Sequence, residues 1–314
     1  MVALNSILLS LLGASAALLA HALPSSAPAQ DVATSSLNIN VLAPRQQQST
    51  GCGKSPFGSG TRTININGKT RQFIVRVPQN YNPSRPCKLI FAFHWVGGTM
   101  NDISSGGTDR ELWSYYGMQR SAGETAILVA PQGLGNGWSN SGGEDITFVD
   151  GMIKQIEEAL CVDQRQRFAL GFSFGGAMSY SIACSRASQF RGVAVMGGGQ
   201  LSGCAGGGNE PIAYLGIHGV SDGTLSVAGG RGLRDRFVKN NGCAAATSAP
   251  EPQRGQGGHI KTVYNGCRTG YPVWWIPFDG GHWPGAVDNG PESGAKSWVP
   301  GEIWAFFTQP QLSN

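Results

Sequence analysis

The sequence predicts an α/β fold in which helices flank a mostly parallel sheet. A β-hairpin with alternating polar and apolar residues comes first, and apolar runs of strand length then alternate with segments of helical spacing. Continuous apolar runs are typical of parallel strands buried on both faces, and strand–helix alternation is typical of βα units. The chain has 314 residues and no internal repeat, so we expect a single folded domain.

The individual elements follow from this patterning. The hairpin pairs residues 61–67 with 71–77 across a turn at Gly68, because both segments alternate with a period of two. The later strands are short apolar runs, and the first predicted helix has apolar residues three or four positions apart. The predicted strands are 88–94, 126–130, 167–171, 192–196, 212–217 and 273–277, and the predicted helices are 145–160, 175–184 and 298–307.

The composition excludes several classes of protein. Hydrophobic residues make up 40% of the chain and charged residues only 13%. Such a low charge content excludes a disordered chain, a coiled coil and a long charged tail. The formal net charge is only +4, and the lysines and arginines do not cluster, so we expect no nucleic-acid partner.

The N-terminal segment indicates secretion. Residues 4–20 are apolar and rich in Leu and Ala, and Ala20-His21-Ala22 matches a signal-peptide cleavage site. We therefore expect a signal peptide over 1–22, with a membrane anchor as the alternative, and an extracellular protein. Residues 23–50 are rich in Ser, Ala, Pro and Gln, which predicts a propeptide or disordered linker before a catalytic domain at 51–314. We expect no membrane partner and no appended carbohydrate-binding module.

Seven cysteines should largely pair in an oxidising compartment, although an odd number leaves at least one thiol free or bound to another chain. Cys243 and Cys267 bracket a segment rich in Gly, Pro and Gln and form the first predicted pair. Cys52 and Cys87 flank the hairpin region and form the second. The sequence does not choose among the last three, Cys161, Cys184 and Cys204. No Cys/His spacing typical of a zinc site is present, so we expect no metal.

A G-x-S-x-G motif from Gly171 to Gly175 lies between a predicted strand and a predicted helix. This is the context of the nucleophile elbow in the α/β-hydrolase fold, in which a tight turn holds the serine hydroxyl above the sheet. Ser173 is therefore the predicted nucleophile, and the N–H of Phe174 is a predicted donor to an oxyanion. The alternative is a glycine-rich turn with a capping serine.

The α/β-hydrolase order places an acid and then a histidine after the serine. His282 follows the strand 273–277 in a glycine-rich loop and is the predicted base. Asp222 follows the strand 212–217 and is the predicted acid that orients the imidazole, with Asp279 as the alternative. His218 is expected to end its strand and support the loop that carries the acid.

The segment from His94 to Gly98 ends an early strand. In this fold the loop at that position supplies the second oxyanion donor through a backbone N–H. Val96 and Trp95 are both candidates for that donor, and a simple Gly-Gly turn is the alternative.

Five segments of the chain form a more specific pattern. They are Phe93–Met100, Gly137–Asn140 with Glu144 and Asp145, Gly171–Met178, His218–Asp222 and Gly281–Gly285. Together they resemble the secreted fungal feruloyl esterases, which are similar to the polyhydroxybutyrate depolymerase-like branch of carbohydrate esterase family 1. The resemblance extends from about Cys52 to Phe307. It implies a cofactor-free secreted esterase that removes ferulate and related hydroxycinnamates from plant cell-wall arabinoxylan, with Ser173, Asp222 and His282 as its triad.

Aromatic residues near the motifs are the candidates for substrate contacts. Four aromatic residues flank the motif loops and are candidates for the wall of a pocket for a flat cinnamoyl group; they are Trp95, Trp138, Phe174 and Trp283. Packing in the core or at the rim is the alternative for each. Two further functions stay open: an acetylxylan esterase or polyhydroxyalkanoate depolymerase-like esterase, and a secreted binding protein that has kept the fold without catalysis.

Overall fold

The computed structural model describes residues 47–204, 207–244 and 249–312. All of them belong to one compact unit of the chain, Pro44–Asn314. The predicted signal peptide at 1–22 and most of the predicted linker at 23–50 lie outside the described residues. In the described ranges, no helix has both the length and the apolar character needed to cross a membrane.

The last residues of the predicted linker pack against the fold. Gln48 forms a β-bridge with Asp163, and Ser49 is only 4% exposed. The Ser49 hydroxyl donates to the Leu160 carbonyl oxygen at 2.6 Å and accepts from the Val162 N–H at 2.9 Å. Residues 48 and 49, at the end of the predicted linker, are therefore part of the folded structure. Polar composition suggests a linker, but a serine can be buried where it satisfies neighbouring backbone groups.

The described residues form a nine-stranded sheet. Its strands are β1 (Gly60–Ile66), β2 (Lys69–Arg76), β3 (Cys87–Phe93), β4 (Ala126–Pro131), β5 (Val162–Phe172), β6 (Gly192–Met196), β7 (Ala213–Gly219), β8 (Thr262–Val263) and β9 (Val273–Phe278). Their order across the sheet is β1-β2-β4-β3-β5-β6-β7-β9-β8. The strands from β4 to β9 in this order are parallel, whereas β1, β2 and β8 pair antiparallel with their neighbours. The predicted hairpin and mostly parallel sheet are both present.

Helices lie on both faces of the sheet. They are α1 (Met100–Ser105), α2 (Met118–Ala122), α3 (Glu144–Ala159), α4 (Phe174–Ser185), α5 (Val227–Asn240) and α6 (Val299–Thr308), with short 3-10 turns at Gly107–Leu112, Leu134–Asn136, Ser141–Gly143 and Pro310–Leu312. The three predicted helices correspond to α3, α4 and α6. Helix α5 was not predicted, because three glycines and several charged residues weaken its apolar periodicity. It is held by the buried side chains of Leu233 and Phe237 and begins where the Ser226 hydroxyl accepts from the Gly229 N–H.

The sheet separates two apolar layers. Trp275 packs in the layer that contains the buried residues of α3, α4 and α5, whereas Trp274 packs in the layer that contains those of α1, α2 and α6. Neighbouring strand residues point to opposite faces, so β9 contacts both layers. A buried apolar side chain stabilises the fold by about 1.5–3 kcal/mol relative to an exposed one. The loop after β9, which carries His282, therefore starts from a firmly packed strand end.

Three disulfides link the described residues. Cys243 pairs with Cys267, which confirms the first predicted bridge, and Cys184 pairs with Cys204. The predicted bridge between Cys52 and Cys87 is wrong, because Cys52 pairs with Cys161 and Cys87 has a free thiol.

The physical reason for the different pairing lies at the end of α3. The Gly51 N–H donates to the Glu157 carbonyl oxygen at 2.7 Å, so the segment before β1 packs on this helix end and brings Cys52 to Cys161. Cys87 is next to Cys161 through a backbone hydrogen bond of 3.0 Å, but its thiol faces the Arg85 carbonyl oxygen instead. Burial raises the pKa of the Cys87 thiol.

We predict that the unfolded, unreduced chain contains one titratable thiol, because all seven cysteines lie in the described ranges and only Cys87 is free. Ellman's reagent added to the denatured protein should report about one thiol per chain, and the Cys87→Ser variant should report none. A wild-type value of zero would mean that Cys87 is bound to another chain. A thiol that persists in the variant would mean that one of the three bridges is open.

Candidate active site

Ser173 occupies the tight turn between β5 and α4. Its backbone has φ 57° and ψ −116°, a conformation that residues with a side chain rarely adopt. The Ser173 N–H donates to the Met196 carbonyl oxygen at 3.0 Å, which ties the turn to the end of β6. The strained turn raises the side chain above the carboxyl ends of the parallel strands, as the nucleophile elbow requires.

Both glycines of the motif are needed for close backbone packing. A Cβ at Gly175 would lie 2.1 Å from the Phe93 carbonyl oxygen and 2.7 Å from that of His94. A Cβ at Gly171 would lie 2.3 Å from the Gly175 carbonyl oxygen. Neither position can hold a side chain without moving the backbone. The start of α4 therefore lies directly against the end of β3.

Ser173, His282 and Asp222 form one hydrogen-bonded chain. The Ser173 Oγ lies 2.8 Å from His282 Nε2, and His282 Nδ1 lies 2.7 Å from Asp222 Oδ2. The carboxylate can only accept, so Nδ1 carries a proton and Nε2 of the neutral ring is free to accept the serine proton. The three residues that the sequence analysis selected from distant loops are thus in contact.

Asp222 is a buried and ionised acid. Its side chain is 0% exposed, and its Oδ1 accepts from the N–H groups of Thr224 and Leu225 at 2.8 Å each. Burial by itself raises the pKa of Asp222, but the hydrogen bonds from His218 and His282 and from the two amides outweigh it and hold this pKa well below its usual range. The carboxylate therefore stays charged and fixes the imidazole of His282.

His218 supports the acid loop, as expected from its place at the end of β7. Its Nε2 lies 2.7 Å from the Leu225 carbonyl oxygen and 3.3 Å from Asp222 Oδ2. A Cβ at Gly230 would lie 2.4 Å from its Nδ1, so α5 packs directly against this ring. The buried histidine thus holds both ends of the turn that presents Asp222.

The alternative acid and another late histidine are engaged elsewhere. Asp279 accepts from the Gly257 N–H at 2.7 Å, and no hydrogen bond joins it to His282 in the described structure. His259 Nδ1 lies 2.8 Å from Asp288, and its ring stacks on Trp298 at a centroid distance of 3.9 Å. These contacts join the loops beside β9, and in the described residues neither side chain is hydrogen-bonded to Ser173 or His282.

The loop after β3 is held by a histidine that the sequence analysis treated only as a strand end. His94 is 0% exposed, and its Nε2 accepts from the Gly133 N–H at 3.0 Å, so its proton lies on Nδ1. This Nδ1–H donates to the Trp95 carbonyl oxygen at 2.7 Å, which also accepts from the Gly98 N–H at 3.1 Å. Burial lowers the pKa of His94 and keeps the ring neutral. The Trp95 carbonyl is thereby fixed against the core.

Trp138 has a structural place rather than one in a pocket wall. It is 0% exposed, and its indole N–H donates to the His94 carbonyl oxygen at 2.8 Å. Its own carbonyl oxygen accepts from the Ser202 hydroxyl at 2.6 Å, and the Ser202 carbonyl oxygen accepts from the Asn140 side chain at 3.0 Å. The prediction of a substrate contact does not fit this position, because the indole N–H needs a buried acceptor and finds it in the backbone of the loop after β3.

The other three predicted aromatic residues keep some access to solvent. Trp95 and Phe174 are half-buried, and Trp283 is 37% exposed. The Phe174 ring packs towards Gly137, where a Cβ would lie 3.0 Å from it. The Trp283 ring lies over the two glycines that precede His282.

Two leucines near the triad were missed by the sequence analysis. Positions close to Gly199 are occupied by the side chains of Leu201, which is 50% exposed, and Leu225, which is half-buried. Gly199 is two residues beyond Gly197, whose Cβ would lie 3.5 Å from His282 Nδ1. Single leucines in loops carry no periodic signal, so only the structure shows that both pack around Gly199, in the loop whose Gly197 lies close to His282.

The described residues contain no group of three or more His, Cys, Asp or Glu side chains arranged to hold a metal ion. The chemistry that the site offers is that of a serine nucleophile with a neutral histidine as general base and a buried carboxylate that stabilises the protonated ring. Such an arrangement can cleave an acyl derivative through a covalent acyl-serine intermediate.

Curated fungal proteins share this sequence over most of its length. A probable feruloyl esterase C of Aspergillus terreus is 46% identical over 270 residues, which cover 86% of this chain and 94% of that protein. A feruloyl esterase C of Emericella nidulans is 46% identical, with coverage of 82% and 90%. A feruloyl esterase D of Neurospora crassa is 45% identical, with coverage of 83% and 90%. A scan against models of known protein families found no match.

Solved structures share the fold at low sequence identity. A CE1 ferulic acid esterase from Anaeromyces mucronatus, solved without substrate, has a TM-score of 0.53 and 12% identity over 87% of this chain and 97% of that one. A second ferulic acid esterase has a TM-score of 0.50 and 15% identity, with coverage of 73% and 93%. These likenesses confirm the predicted α/β-hydrolase fold.

Proposed function

The chain belongs to the fungal feruloyl esterases and is a carboxylic ester hydrolase; from this premise we propose that it is secreted and releases ferulate and related hydroxycinnamates from plant cell-wall arabinoxylan. The observation that carries the proposal is the hydrogen-bonded chain from Ser173 through His282 to Asp222. Three disulfides support an oxidising, extracellular location.

The triad performs the reaction in two halves. His282 Nε2 takes the proton of Ser173 as the serine oxygen bonds to the ester carbonyl carbon, and Asp222 stabilises the imidazolium that forms. The tetrahedral intermediate collapses, the alkoxy oxygen of the sugar leaves with the proton from His282, and the acyl group stays on the serine. A water molecule then attacks with the same histidine as base, which releases the free acid and restores the serine.

Two backbone N–H groups stabilise the negative oxygen of the intermediate. One is the N–H of Phe174 at the start of α4. The other is that of Val96, because carbonyl and N–H of one trans peptide point in opposite directions. With the Trp95 carbonyl held against the buried His94, the Val96 N–H points away from the core, at a residue that is 62% exposed. Each such donor contributes about 3 kcal/mol to lowering the barrier.

The acyl side of the site suits an aromatic acid. Leu201 and Leu225 form an apolar surface around Gly199, in the loop whose Gly197 lies close to His282, and Trp283 adds an accessible ring. These side chains can cover the flat face of a hydroxycinnamoyl group, whereas an acetyl group would leave them exposed to water. Their place supports a hydroxycinnamate ester over the acetyl ester that the sequence had left open.

We predict that the purified protein hydrolyses methyl ferulate faster than naphthyl acetate and leaves a polyhydroxyalkanoate film intact. The Ser173→Ala variant should lose turnover and reaction with a fluorophosphonate probe while keeping its thermal unfolding midpoint. Chromatography of the released products measures turnover, and calorimetry measures the unfolding midpoint. Preference for the acetyl ester, or an unlabelled wild-type serine, would contradict the proposal.

Asp222→Asn should lower kcat by about 10⁴-fold, because an amide at this position no longer selects the Nδ1–H tautomer or stabilises the imidazolium. Asp279→Asn is the matched control and should leave kcat close to the wild-type value, since its carboxylate contacts a glycine amide rather than the base. Steady-state kinetics on methyl ferulate compares the two. A larger loss in the Asp279 variant would reassign the acid.

The role of His94 can be tested with two amide variants. Asn places a donor near the position of Nδ1 and can keep the bond to the Trp95 carbonyl, whereas Gln reaches the position of Nε2 and keeps the bond to Gly133. His94→Gln should therefore lose more kcat than His94→Asn, up to about the 10²–10³-fold of a lost oxyanion donor. KM for methyl ferulate should change little in either. Equal kcat losses, or losses confined to KM, would show that His94 serves packing alone.

A further inference from the structure

A polar cavity of about 400 Å³ lies next to the loop after β3. Three aromatic side chains, Trp95, Trp113 and Tyr116, line it together with the carboxylates of Asp109 and Glu292. A third carboxylate, that of Asp102, also lines it, and Ile103, two hydroxyl side chains and three glycines complete its surface; its lining contains no lysine or arginine. Neither the triad nor the apolar surface of Leu201 and Leu225 is part of it.

One wall of the cavity belongs to the loop that carries the proposed oxyanion donor. Trp95 precedes Val96 directly and contributes its side chain to the lining. Tyr116 donates its hydroxyl proton to the Phe93 carbonyl oxygen at 2.9 Å, and this is the carbonyl against which Gly175 packs. The lining residue Tyr116 and the turn at Ser173 are therefore connected through the Phe93 carbonyl.

Another part of the lining, Glu292 and Ser293, is joined to the loop that carries His282. Glu292 accepts from the Gly285 N–H at 3.1 Å, and the Ser293 N–H donates to the Gly285 carbonyl oxygen at 3.0 Å. Gly285 is three residues after His282 in the same loop. The cavity is thus framed by the two loops that meet at Ser173.

The chemistry of the lining matches a carbohydrate. Glu292 and Asp109 are close enough that their charges interact, and burial together with Asp109 raises the pKa of Glu292. A Cβ at Gly294 would lie 2.4 Å from the Trp113 ring and 2.7 Å from Asp109, so this glycine lets ring and carboxylate lie side by side. Carboxylate oxygens accept hydrogen bonds from sugar hydroxyls, while indole rings cover the C–H faces of a sugar.

We infer that this cavity is a subsite for a pentose unit of the polysaccharide, on the alcohol side of the scissile ester. The inference rests on the proposed function, since it needs an ester whose alcohol is a sugar. The hydroxycinnamoyl group then lies on the apolar side near Leu201 and Leu225, and the sugar lies on the polar side beyond Trp95.

The test compares two esters of the same acid. The double variant Asp109→Asn/Glu292→Gln keeps an acceptor for the Gly285 N–H and should remain folded, as its thermal midpoint will show. Its KM for ferulate carried on an arabinoxylan oligosaccharide should rise about tenfold through the loss of charged acceptors. Its KM and kcat for methyl ferulate, which has no sugar, should stay at the wild-type values.

The control variant is Glu158→Gln, which removes a carboxylate from the exposed surface of α3 and should change neither substrate's kinetics. An equal rise in both KM values in the double variant would assign the cavity to the acyl group and overturn the inference. Wild-type kinetics with both esters would overturn it as well.

A binding measurement separates this inference from the proposed function. In calorimetry the unesterified arabinoxylan oligosaccharide should bind the wild-type chain and bind the double variant about tenfold more weakly. Absence of binding to the wild type, or equal binding to both, would refute the subsite even if methyl ferulate is hydrolysed. Failure to hydrolyse methyl ferulate would instead refute the proposed function, and the binding of the oligosaccharide would then decide by itself whether the cavity takes a sugar.

Discussion

The close approach of the start of α4 to the end of β3 is the constraint from which the site is built. Because Gly175 has no side chain, the backbone after Ser173 lies directly against the Phe93 and His94 carbonyls. This contact brings Ser173, the first amides of a helix and the loop after β3 to one point at the carboxyl edge of the sheet. This geometry requires the positive φ of Ser173, which is a strained backbone conformation. The packing of the sheet on both faces holds the backbone in that conformation.

The carboxylate of Asp222 illustrates how a buried charge is kept. Removing an unpaired carboxylate from water costs several kcal/mol, and Asp222 meets four donors that offset this cost: two backbone amides and two histidines. His218 does not contact Ser173 or His282 through a hydrogen bond in the described residues, but it connects Asp222 to the turn that ends at Leu225. These contacts hold the loop of Asp222 in place, and through it they orient the imidazole of His282 towards Ser173.

The sequence was sufficient for the features that depend on local pattern. Period-two alternation located the hairpin, continuous apolar runs located the central strands, and α3, α4 and α6 were found between and after these strands. The order of Ser173, Asp222 and His282 along the chain identified three side chains that the structure joins. It failed where the answer depends on packing between distant segments. Cys52 meets Cys161 because residues before β1 pack on the end of α3, and Trp138 is buried because His94 offers its indole an acceptor. Neither contact leaves a periodic trace in the sequence.

The two sides of the triad differ in polarity, because different loops form them. The turns after β6 and β7 contribute leucines next to glycines, so the surface there is apolar and open. The segments after β3 and after His282 contribute indoles, carboxylates and hydroxyls around a cavity. An ester of an aromatic acid with a sugar has the same division, since one half is flat and apolar and the other carries hydroxyls. Trp95 lies between these two regions. Its carbonyl accepts a hydrogen bond from His94, which orients the Val96 N–H, and its ring lines the cavity. If the cavity binds a sugar as we propose, that sugar contacts the residue whose peptide carries the proposed oxyanion donor, and recognition of the alcohol would then be coupled to stabilisation of the transition state.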